Sequence, residues 1–138
     1  MQFDDKHDRA DNLELRALIE RYNTAVMSFD ADAWAATWHP NASWQLPGAP
    51  KITGRDNILV AWKQAMSAFE FVGFFASAGP LEIAGDNASG TWFQQETLIG
   101  KDGSKRRIIG RYEDSYTRDG GSWRFASRDY TVLNVEEF

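Results

Sequence analysis

Cysteine is absent from the 138 residues, which removes disulfides and thiolate chemistry from consideration. Histidine occurs only at His7 and His39, and neither stands in a metal-binding run such as H-x-x-E-H, so no metal is expected. A hydrogen-bonding role at a helix end is expected for His39. No apolar run is long enough to span a membrane. The first stretch, MQFDDKHDRADN, lacks the apolar core of a signal peptide, and a cytoplasmic protein is the expectation. Basic charge is scarce: 15 Lys and Arg stand against 20 Asp and Glu, for a net charge of -5. Without a basic stripe, nucleic acid is not an expected partner. The short cluster Lys105, Arg106, Arg107 sits beside a turn and reads as a solvated strand entry. There is no glycine-rich phosphate loop and no nucleophile elbow, and GRD at 54–56 carries no fingerprint. Repeats and linkers are also missing, so one domain over 1–138 is expected, with residues 1–8 as a loose tail.

Aromatic carbon is what the chain has in quantity: six Trp, nine Phe and four Tyr. Such side chains suit a core or a pocket wall equally. In the first half they recur at helical spacing. Leu15, Leu18, Tyr22, Val26 and Phe29 form one apolar stripe, with Asp11 or Asn12 as a candidate cap. Asp30 reads as the cap of a second short helix, ADAWAATWH, in which Trp34, Thr37 and Trp38 share a side and which Pro40 ends. ASWQL is a short strand candidate. A third helix over TGRDNILVAWKQAMSAF carries Ile58, Leu59, Trp62, Ala65, Met66 and Phe69.

After about residue 70 the period becomes two. FVGFFASAGPLEIAG reads as a strand broken at Gly79–Pro80. Asp102–Gly103 and Gly120–Gly121 mark hairpins between three further strands. Helices followed by an antiparallel meander give an α+β domain. Alternation puts Trp92, Gln94 and Glu96 on one face of one strand, and Gly110, Tyr112, Asp114 and Tyr116 on one face of the next. The last strand conflicts with itself, because Trp123 and Phe125 look core-facing while Tyr130 and Val132 have the opposite parity. A β-bulge near Ala126–Ser127 reconciles the halves and turns Arg128 inward toward Asp114. Without the bulge Arg128 is a solvated charge. An inward Asp114 is either a buried carboxylate satisfied by Arg128 and a tyrosine, or a pocket acid with a shifted pKa.

Three stretches, RYNTAVMSFDADAWAATWHPNASW, GRDNI and GRYEDSYTRDGGSWRFASRD, together resemble the nuclear transport factor 2-like superfamily. Within it they are similar to the SnoaL-like polyketide cyclase and dehydratase-isomerase group. The resemblance implies a cone of curved, mainly antiparallel sheet with three N-terminal helices around an apolar pocket, a cystatin-like α+β barrel. By comparison with ketosteroid isomerase it implies that Tyr22 and Asp114 take the oxyanion-hole positions. Trp38 and Trp62 fall where that enzyme has further pocket tyrosines. The position of its base holds Leu46, with Gln45 beside it, and the strand after the third helix lacks the pocket histidine common in the dehydratases. Glu96 is the remaining pocket carboxylate with suitable facing. Some bile-acid dehydratase-like members carry an arginine where Arg128 stands.

Two functions are therefore expected as alternatives. One is a lyase or isomerase acting without a cofactor on a small apolar molecule bearing a carbonyl or hydroxyl. Its acid–base and anchoring groups would be Tyr22, Glu96, Asp114 and Arg128. Trp38, Trp44, Trp62, Phe75, Trp92, Gln94, Tyr112 and Tyr130 would contact the substrate. The other is a ligand-binding or homodimerisation domain without catalysis, which presents the sheet surface around Arg111, Glu113 and Arg124.

Overall fold

A computed structural model describes the backbone of residues 5–138 and the side chains from residue 9 onward. Three helices, α1 (Asp5–Met27), α2 (Ala31–Ala35) and α3 (Arg55–Met66), lie in the first half. Six strands are β1 (Trp38–Gln45), β2 (Ile52–Thr53), β3 (Phe69–Ala84), β4 (Asn87–Gly100), β5 (Lys105–Asp119) and β6 (Ser122–Glu137). They form one sheet in the order β2-β1-β6-β5-β4-β3, with its edges open at β2 and β3. All neighbours are antiparallel except β1 and β6, so the sheet is mixed. This is the expected α+β arrangement, with the helices against the inner face of a curved sheet.

Local rules explain the connections. Gly120 and Gly121 have φ of 66° and 87°, the left-handed pair that a two-residue hairpin needs between the partners Asp119 and Ser122. Asp102 Oδ1 accepts from the Ser104 N–H at 2.9 Å and hydroxyl at 2.7 Å, which fixes the β4–β5 turn. The break in β3 falls where expected: the register shifts between Ala78 and Leu81, and a Cβ on Gly79 would meet the Thr91 carbonyl oxygen at 2.7 Å. The β6 bulge is also present. Ser115 pairs with Ser127 and Tyr116 with Phe125, leaving Ala126 as the extra residue. Phe125 and Arg128 thereby both turn toward the helices.

The helix ends differ from expectation. Helix α1 begins at Asp5, so residues 5–8 of the expected tail are helical and the rest lie outside the described residues. Neither Asp11 nor Asn12 is a cap. Asn12 accepts from Arg16, and Asp11 accepts from Arg118 Nη1 at 2.6 Å and Trp123 Nε1 at 3.1 Å, tying α1 to the β5–β6 hairpin. Phe29 leaves the apolar stripe. It sits beyond the helix in a left-handed conformation (φ 54°) and is 41% exposed. The Asp30 N–H closes that end on the Ala25 carbonyl, and its side chain caps α2 through the Ala33 N–H as expected. Trp38 begins strand β1 instead of ending a helix. Pro40, which cannot donate to a ladder, falls in the irregular stretch of β1 between Trp38 and Ser43.

The core is a packed set of rings. Tyr22 of α1 meets Trp34, Trp38, Phe74 and Phe125 at centroid distances of 5.6, 6.3, 5.7 and 5.4 Å. Trp34 also stacks on Trp62 of α3 at 4.6 Å and 12°. Each such pair adds about 0.5–1.5 kcal/mol beyond area burial. Among the described residues no helix is long and apolar enough to cross a membrane.

Candidate active site

The inward acid and cation of the sequence form one unit. Asp114 of β5 and Arg128 of β6 are cross-strand partners. Arg128 Nε donates to Asp114 Oδ1 at 2.8 Å and Nη2 to Oδ2 at 3.1 Å. Both residues are almost wholly buried, at 5% and 2% exposure. The guanidinium lies against Tyr112, Phe125 and Tyr22, with Cζ 3.7, 4.3 and 4.6 Å from the ring centroids. Tyr116 donates to Asp114 Oδ2 at 2.8 Å and accepts from Trp92 Nε1 at 2.7 Å. Burial pushes the Asp114 carboxyl up and the guanidinium pulls it back. Every bond to its oxygens comes from a donor, which requires the carboxylate form. Burial also opposes the Arg128 charge, but Asp114 and the tyrosines outweigh it and keep the guanidinium protonated. All of the carboxylate's bonds are therefore committed within the fold.

Glu96 is placed differently. It sits half-buried on the inner face of β4, opposite Phe74 of β3 and Ile108 of β5. Among the described residues three carboxylates are at least half-buried: Asp11, Asp114 and Glu96. The first two are paired to arginines, and Glu96 has no cation at ion-pair distance among the described residues. Burial pushes its pKa up, and the Gln94 amide and the more distant Arg106 oppose this. Its hydrogen bond comes from Gln94 Nε2 at 2.9 Å. The same nitrogen donates to the Tyr130 hydroxyl. Tyr130 reaches Gln94 because residue 110 is glycine: a Cβ there would lie 2.3 Å from the Tyr130 oxygen. Having accepted from Gln94, the Tyr130 hydroxyl keeps its own proton free to donate. Burial and the nearby Glu96 push its pKa up, so it remains a phenol.

The structure thus brings Tyr22, Tyr112, Asp114 and Arg128 together, and places Gln94, Glu96 and Tyr130 one step further along the inner face. Around Tyr22 the space is filled with rings: Trp34, Trp38 and Phe125 are fully buried there, and Trp44 joins them. Phe75 is a correction. It pairs with Gln95 on the outer face and is 65% exposed, because its neighbour Phe74 takes the inward position opposite Glu96. Trp62 lines an open cleft of about 520 Å³ with Phe29, Met66, Phe69, Lys63 and Lys101 at the α3 end. His39 is in a strand, not at a helix end. Its Nδ1 accepts from the Asn41 N–H at 3.1 Å, so Nε2 carries the proton toward Asp119 at 2.9 Å. Among the described residues no three His, Cys, Asp or Glu side chains converge as a metal would require. A tyrosine hydroxyl on Asp114 was expected and Tyr116 supplies it, whereas its bond from Trp92 and the part of Gly110 in placing Tyr130 were not anticipated. Both follow from strand register, although Gly110 opposite a tyrosine-bearing strand was a usable signal.

Comparison with known proteins agrees with this fold. Residues 8–129 match the family model of the SnoaL-like domain. No curated protein matches the sequence. Among solved structures, a hexachlorocyclohexane dehydrochlorinase, LinA type 2, is similar at TM-score 0.88 and 16% identity, over 97% of this chain and 93% of that one. A candidate scytalone dehydratase from Novosphingobium aromaticivorans DSM 12444 is similar at TM-score 0.88 and 14% identity, over 95% and 89%. A candidate dehydratase of the NTF2-like family from Streptomyces avermitilis is similar at TM-score 0.82 and 17% identity, over 91% and 99%. At these identities the structural likeness speaks for the fold, and the matched family model extends over most of the sequence: the chain belongs to the SnoaL-like domain family.

Proposed function

We propose that the protein is an acid–base enzyme of the lyase or isomerase type, acting on a small, mostly apolar molecule that bears a carbonyl or hydroxyl group. One observation carries this reading: Glu96 is a half-buried carboxyl without a cation partner among the described residues, held by a neutral amide beside a phenol whose proton is free. Glu96 takes or gives the proton, and Tyr130 donates to the substrate oxygen. The Arg128–Asp114 pair holds the aromatic wall on which Tyr112 and Tyr22 rest. The names of the similar proteins, two dehydratases and a dehydrochlorinase, point to elimination chemistry of the same general kind. The chemistry requires no metal or cofactor. A second reading, a ligand-binding domain without turnover, is favoured by the enclosure of the Tyr22 hydroxyl among rings.

Titration of the protein with steroid, terpenoid and aromatic ketones, followed by tryptophan fluorescence, separates the two. The enzyme reading expects saturable quenching and subsequent turnover of at least one binder. Binding without turnover in any binder favours the second reading.

The outer face of the sheet supports a homodimer. Phe71, Phe75, Phe93 and Ile109 are exposed on it, beside the Arg111–Glu113 ion pair at 3.5 Å. The double substitution Phe75→Asp, Phe93→Asp is expected to halve the mass in sedimentation velocity. An unchanged mass counts against this face as the interface.

A further inference from the structure

The Gln94 side chain presents an imbalance. Its Nε2 serves two partners, Glu96 Oε1 and the Tyr130 hydroxyl, while its Oε1 is buried with no partner. Gln94 itself is 2% exposed, so bulk solvent does not reach this oxygen. A buried amide oxygen left without a donor is costly, and in native proteins such groups carry a reason.

Glu96 supplies one. The present orientation suits the Glu96 carboxylate, which can only accept. Once Glu96 holds a proton, its O–H becomes a donor that needs an acceptor at the same place. Turning the amide by half a rotation puts Oε1 there. That oxygen then accepts from the Glu96 O–H and from the Tyr130 O–H, and Nε2 takes the buried position. Each orientation satisfies the pair of neighbours and leaves the opposite end of the amide unpaired. What selects between them is the proton on Glu96. We propose that Gln94 is a positioning residue whose amide orientation follows the protonation of Glu96 and thereby sets whether the Tyr130 hydroxyl is free to donate or is turned onto Gln94.

The consequence is a linkage between base and donor. With Glu96 ionised, Tyr130 accepts from Gln94 and its proton is available to a substrate oxygen. With Glu96 protonated, Tyr130 spends its proton on Gln94 and lets that oxygen go. The groups facing Glu96 leave this choice to Gln94. Phe74 of β3 and Ile108 of β5 are apolar. Arg106 acts from outside ion-pair range, and Tyr22, Tyr112 and Tyr130 are phenols whose pKa values are all raised. The inference assigns a regulated position to the site proposed above and rests on that site's geometry.

The experiment reads titration, not turnover. In uniformly ¹³C,¹⁵N-labelled full-length protein, the Glu96 carboxyl carbon, the Gln94 side-chain NH₂ and the Tyr130 Cζ are followed from pH 4 to pH 9. The three are expected to titrate with one common midpoint. In Glu96→Gln, the Gln94 and Tyr130 signals are expected to lose that transition, and in Tyr130→Phe the Gln94 signal is expected to keep it. Gln94 resonances that stay fixed while Glu96 titrates overturn the proposal, as does a transition that survives in Glu96→Gln. A protein with the linked titration but no turnover on any binder would retain this inference and sink the enzyme reading. Turnover with a static Gln94 would do the reverse.

Discussion

Glu96→Gln is expected to lower turnover by about 100-fold or more, with substrate binding little changed, because a positioned proton carrier contributes about 10²–10⁴. The substitution keeps shape and hydrogen-bonding capacity but cannot exchange a proton at neutral pH. Measurement of kcat and KM for any ketone that the wild type turns over checks it, and a variant within a few-fold of wild-type kcat would remove Glu96 from the mechanism. The pH dependence has a definite sign. Burial raises the Glu96 pKa above that of an exposed glutamate, about 4.3. A base of this kind works only when ionised, so the rate falls as pH drops through that raised value. Stability runs the other way. The unfolded chain keeps an ordinary glutamate, so ionised Glu96 weakens the fold as pH rises through its folded-state pKa. Glu96→Gln is therefore expected to match wild-type stability in acid and to exceed it at neutral pH. An inactive variant with a higher Tm would mark a residue kept for chemistry at a cost to the fold.

The largest stability effect is expected from splitting the Arg128–Asp114 pair. Arg128→Leu leaves a carboxylate at 5% exposure with only the Tyr116 hydroxyl, and Asp114→Leu leaves a guanidinium among three rings. Each is expected to cost about 3–5 kcal/mol, seen as a fall in Tm of roughly 10 °C or more in a chain of this size. The double substitution removes both charges together. It is expected to recover a large part of that loss, because neither charge is then stranded. Thermal unfolding of the three variants checks this. Equal, additive losses would show that the pair stabilises through packing alone.

Much of this arrangement was legible because it follows from local rules. The Tyr22 stripe comes from helical spacing, the hairpins from Asp102–Gly103 and Gly120–Gly121, and the Ala126 bulge from a conflict of parity within one strand. The bulge also gave the Arg128–Asp114 encounter. Other features depend on contacts far apart in sequence. Trp38 is a strand residue because β6 lies beside it, and propensity alone extended the helix instead. Phe74 and Phe75 are adjacent rings, and only their register against Glu96 and Gln95 decides which is inside. Tyr130 reaches Gln94 diagonally over Gly110, a relation invisible until β4, β5 and β6 are aligned. The distinction between a committed Asp114 and an uncommitted Glu96 is of the same origin, since it rests on which cation each carboxylate meets.

The extra residue at Ala126 makes the interior sensitive to chain length. If β6 were one residue shorter there, strict alternation would carry every later side chain to the opposite side of the sheet. Arg128 and Tyr130 would face solvent, Asp129 and Thr131 would enter among the rings, and Asp114 would lose its counter-ion. Substitution at 126 by another small residue is a mild change, whereas deletion would exchange the two faces of β6 from that point on.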